Sequence, residues 1–181
     1  MKAWHLVFAL SFLLLSGCLV TFKDPIPANQ AAPAGLLGKW TSKDAWGEKR
    51  TLEISRSGSN LYKAISYPTG KKAARDEYGF TVSRHGNRWY VSAGVPKAFG
   101  ANFAIAGFDL TDENELVVYN LDIELIEQAL QHNALSGEPF ETSEGEGVLI
   151  TSSLDKVFAY LDDPANSDLF VEVARFQRPS K

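Results

Sequence analysis

Three short turns in series constrain this chain more than any other feature. They are Arg56-Ser57-Gly58-Ser59-Asn60, His85-Gly86-Asn87 and Thr111-Asp112-Glu113-Asn114, and each lies between two runs in which apolar and polar residues alternate. Gly, Asn and Asp adopt the backbone angles that tight hairpins need and that branched or bulky residues avoid. The flanking runs predict strands at residues 51–55 and 61–67, 78–84 and 88–93, and 102–110 and 115–121, with a first strand at 36–42. Neighbouring strands usually pair, so the economical topology is an antiparallel meander. The predicted fold is mainly β, a barrel or a strongly curved sheet.

Two helices interrupt the strands. Asp122 caps a segment in which Ile123, Ile126, Ala129 and Leu130 recur at helical spacing, with an end expected near Leu135 before Ser136-Gly137. Residues 138–147 are acidic and contain glycine, which predicts an exposed loop before a short strand at 148–151. Ser152 and Asp155 have the spacing of a capping box. Behind them, Leu154, Val157, Phe158 and Leu161 form a stripe suited to packing on a sheet, and Pro164 stops that helix. Residues 168–177 close the chain as a strand alternating through Val171, Val173 and Arg175.

Gly38-Lys39-Trp40 on the first strand resembles the Gly-x-Trp signature of lipocalin-like barrels, and the similar order of elements extends from about residue 35 to 178. The resemblance implies an arginine from the end of the chain stacked over Trp40 at the closed barrel end. Arg175 is the first choice for that role and Arg178 the second. A guanidinium over an indole face is favourable by about 0.5–2 kcal/mol.

The predicted strands are rich in aromatic residues, and a barrel of eight strands is either filled by side chains or holds one small ligand. Ala101, Ala104, Ala106 and Gly107 leave room on at least one face of their strand. Tyr62, Trp89 and Phe103 are the candidate ligand-lining residues by strand position. Two functions follow: binding of a small apolar or amphipathic ligand, or an envelope scaffold or assembly accessory acting through protein–protein contacts around a filled core.

The motifs of catalysis are incomplete in this sequence. His85 and His132 lack zinc-ligand spacing with any partner, and no cofactor or metal is expected. Ser153-Leu154-Asp155-Lys156 matches Ser-x-x-Lys but lacks the companion motifs of serine acyl-enzymes. Pro68-Thr69-Gly70-Lys71-Lys72 lacks the first glycine and the hydroxyl residue of a phosphate loop. The expected protein is therefore not an enzyme, and a hydrolase without a recognisable motif is the remaining alternative. A formal charge of −4 argues against a nucleic-acid partner.

The amino terminus carries Lys2, an apolar run from Leu6 to Leu15 and then Ser16-Gly17-Cys18, with Cys18 the only cysteine. About a dozen apolar residues are too few to span a bilayer but suit a secretory signal peptide. Leu15-Ser16-Gly17-Cys18 resembles the lipobox of bacterial lipoproteins. That resemblance implies lipid on Cys18, cleavage after Gly17 and a membrane partner reached through the anchor. Leu19, rather than aspartate, follows the cysteine, which implies the outer membrane and a domain facing the periplasm. The expected organisation is a signal peptide at 1–17, a proline-containing lipidated tether at 18–34 and one β-rich domain at 35–181. Such a tether reaches about 50 Å when semi-extended.

Overall fold

Each of the three turns closes a hairpin. In the computed structural model, which describes residues 18–43, 47–142 and 145–180, Asn60, Gly86 and Asn114 hold the left-handed backbone angles that reverse the chain. The first turn joins β3 (Lys49–Gly58) to β4 (Leu61–Pro68), the second β5 (Asp76–His85) to β6 (Arg88–Gly94), and the third β7 (Phe103–Leu110) to β8 (Glu115–Leu121). β2 (Gly38–Lys43) precedes the meander and β11 (Phe170–Gln177) ends it. β6 pairs with β7, and β11 lies between β8 and β2, so eight antiparallel strands close into a barrel. The seam between β11 and β2 is narrow, with Gln177 opposite Thr41.

Alternation sends one set of side chains inward. Trp40, Ile54, Tyr62, Val82, Phe108, Leu116 and Phe176 form the buried core of the barrel. The opposite faces of β6 and β7 supply Tyr90 and Ile105 to a second core outside the barrel wall. That core is completed by α1 (Ile123–Gln131), by α2 (Leu154–Asp162) and by a three-stranded extension. In the extension β1 (Cys18–Phe22) runs parallel to β10 (Gly145–Ile150), which pairs antiparallel with β9 (Gly137–Thr142). β1 joins the barrel where Phe22 lies opposite Phe103 on β7.

Four expectations are corrected. The 138–147 segment forms β9 and the start of β10 rather than an exposed loop, because β1 offers β10 a partner far away in sequence. The predicted tether lies on the domain. Ile26 is 1 % exposed in the second core, its carbonyl accepts from Thr81 Oγ1 at 2.6 Å, and the Gln30 side chain accepts from the Arg84 amide at 2.9 Å. Residues 23–33 are thus a strap along the outside of the barrel. The second helix is capped by Ser153, whose Oγ accepts from Lys156 N, while Ser152 Oγ accepts from Ser136 N at 2.7 Å and ties the two helical regions together. This cap gives the Ser153 hydroxyl a structural role at the start of the helix. The first helix ends at Gln131, before Leu135, because Asn133 takes the left-handed turn usually left to glycine. The predicted signal peptide lies outside the described residues.

Candidate functional site

The barrel is closed at one end by residues that are adjacent in sequence to β2. A short 3-10 turn at Ala34–Leu36 crosses that end, and Trp40 Nε1 donates to Leu36 O at 2.9 Å. The guanidinium of Arg178 covers the indole at 3.7 Å from the ring centroid and donates to the carbonyls of Gly35, Leu37 and Lys39. Arg175, the first expectation for this role, is turned outward. It pairs with Glu172 at 2.9 Å and with Glu115 on the barrel surface. The parity of β11 explains the exchange: Phe176 points inward, so Arg178 two residues later follows it and Arg175 cannot.

Above this floor the interior is not filled. A cavity of about 180 Å³ is walled by Leu52 and Ile54 of β3, Ala64 of β4, and Tyr78 and Phe80 of β5. Val91 and Ala93 of β6, Phe108 of β7, and Leu116 and Val118 of β8 complete the wall, with Leu36 contributing from below. Its accessible surface is apolar throughout. Ala64 and Ala93 leave the space, since larger side chains at these inward positions would occupy it. An apolar cavity of about 150 Å³ stays dry and accepts benzene.

The far end of the interior is polar. Arg50 precedes Leu52 by two residues and so shares its inward face, and it lies opposite Ser42 of β2 in register. Only 7 % of Arg50 is exposed. Its Nη2 donates to Ser66 Oγ at 3.3 Å. Arg50 Nε and Ser42 Oγ are both buried without a hydrogen-bond partner among the described residues. Asp76 lies opposite Ser66. Burial holds the Tyr78 hydroxyl well above its ordinary pKa, the Asp76 charge adds to that effect and the Arg50 charge opposes it. Tyr78, part of the cavity wall, therefore stays neutral in the field of both charges.

The three predicted lining residues separate. Tyr62 and Trp89 face the interior one step closer to the closed end than the cavity wall. Tyr62 is buried, stacks on Phe80 at 5.7 Å and accepts from the Ala32 amide at 2.8 Å, which fastens the strap. Trp89 stacks on Phe108 at 6.0 Å, with Arg84 over its ring. Phe103 shares the parity of Ile105 and lies on the opposite face, beside β1. Arg50, Ser42 and Tyr78 were outside the sequence expectation. One signal was available: Arg50 stands at an inward position in the period that Leu52 and Ile54 define, where a charge is costly unless used.

No protein-family model, curated protein or solved structure matches this chain.

Proposed function

We propose that this protein is a lipid-anchored envelope protein that binds a small apolar or amphipathic ligand inside its barrel and catalyses no reaction. The observation that carries the reading is the apolar cavity, walled by six strands of a closed barrel. Interiors are ordinarily packed close to crystal density, and an unfilled space of this size forfeits dispersion contacts along its whole lining. A guest restores them. The volume suits a ligand portion slightly larger than a benzene ring.

The anchoring half of the proposal is supported by the lipobox resemblance at Leu15-Ser16-Gly17-Cys18. In this reading the lipidated residue is also the first residue of β1. The domain then sits directly on the lipid surface instead of about 50 Å away, because the strap and β1 are committed to the fold. Outer-membrane placement follows from Leu19 in the same resemblance.

Calorimetric titration of the mature protein with toluene tests the cavity. Saturable one-to-one uptake is the expected result, and absence of binding by toluene and by small aliphatic alcohols alike sinks ligand binding. Radioactive palmitate tests the anchor: label is expected in the native protein and absent from Cys18→Ala.

A further inference from the structure

We propose that the ligand is amphipathic with an anionic head, a carboxylate, which binds Arg50 and Ser42 at the polar end of the barrel while its apolar part fills the cavity. The proposal rests on the ligand-binding reading above and specifies its chemistry. Two neighbouring donors on the inward face, Arg50 Nε–H and Ser42 Oγ–H, are buried with no acceptor among the described residues. A buried donor left unsatisfied is destabilising, and a permanently charged one more so. Both lie one inward step above the apolar wall, since Arg50 shares its face with Leu52, a wall residue.

The guanidinium favours a planar acceptor with two oxygens. Its N–H groups form a rigid fork that matches a carboxylate, and charge-assisted bonds of this kind are about twice as strong as neutral ones. Ser66 already occupies Nη2, which fixes the fork. Tyr78, within reach of the Arg50 charge, remains protonated and adds no negative charge to oppose the anion. Asp76 also faces this end of the barrel and is engaged in interactions of its own. Its charge restricts the anion to the Arg50–Ser42 side. The cavity below accommodates an unbranched tail of roughly six carbons or one aromatic ring.

The test compares hexanoate, hexan-1-ol and hexylammonium on the mature protein by titration calorimetry. Hexanoate is expected to bind at least about tenfold more tightly than hexanol, and hexylammonium more weakly than either. Equal affinity for hexanoate and hexanol overturns the anionic head yet leaves the cavity reading intact. Tighter binding of hexylammonium also overturns it and moves the site to Asp76. Failure of all three to bind overturns the anionic head, and it removes the cavity reading as well only where toluene also fails to bind. In Arg50→Gln, hexanoate is expected to fall to the affinity of hexanol while hexanol itself is unchanged, and Arg50→Lys should recover part of the difference. The three-ligand comparison on the unaltered protein decides the matter even if the variants do not fold.

Discussion

Arg178 and Trp40 hold the closed end of the barrel together, with the guanidinium 3.7 Å from the centre of the indole and donating to three backbone carbonyls around it. Gly38 belongs to the same arrangement. It has a φ of +111°, and a Cβ at this position would lie 2.9 Å from Arg178 Nη1. The segment that follows β11 is thereby fixed across the start of the barrel, beside the narrow β2–β11 seam.

Removing Arg178 should loosen that end. Arg178→Ala is expected to lose about 1.5–3 kcal/mol, from the cation–π contact and from carbonyls left without a charged donor. Arg175→Ala, which removes ion pairs made by a half-exposed arginine on the outer surface, should shift the urea midpoint much less. Urea denaturation of both variants checks the contrast, and equal losses would contradict the assignment of the two arginines.

The strap makes a separate prediction. Ile26 is fully enclosed in the second core although it belongs to a segment with the composition of a tether. Ile26→Ala should cost about 2–4 kcal/mol, the range for a large-to-small change in a packed core. A freely moving tether would tolerate the same change with no shift in melting temperature.

Filling the barrel should separate stability from binding. Ala93 contributes to the cavity wall, and Ala93→Leu adds three carbons toward the empty volume. Stability should stay level or rise, while toluene affinity falls at least about tenfold. In a barrel already filled at this position, the same substitution would destabilise by about 1–3 kcal/mol through overpacking.

His85 gives the fold a pH dependence of known sign. Its ring stacks on Phe158 of α2 with 3.6 Å between centroids, and its Nε2 shares a 2.8 Å hydrogen bond with Ser83 Oγ. Burial holds its pKa below the ordinary value, with Asp162 and Asp155 opposing in part. The unfolded chain therefore takes up a proton near pH 6.5, before the folded protein does. The contribution of His85 is fully present above that pH and is lost as the pH falls toward the folded value. The denaturation midpoint of the native protein should drop on acidification from about pH 7.5 to 5 by more than that of His85→Gln. Parallel pH profiles for the two proteins would rule His85 out as the source.

Sequence alone determined the meander and its hairpins. Local alternation selects strands, and Asn60, Gly86 and Asn114 supply the only backbone angles that reverse them so tightly, so both signals are contained within a few residues. Gly38 and Trp40 likewise marked the closed end. Tertiary structure alone decided what depends on register between distant segments. β1 and β10 pair across more than a hundred residues, with Thr21 donating to Val148 O at a separation of 127, and neither strand shows locally that it needs the other. A bulge between Glu172 and Ala174 fixes the parity of β11, which put Arg178 rather than Arg175 over Trp40. The polar end of the cavity has the same origin. Arg50 shares the inward period of Leu52 and Ile54, but only the closure of the neighbouring strands buries its charge at the end of the cavity.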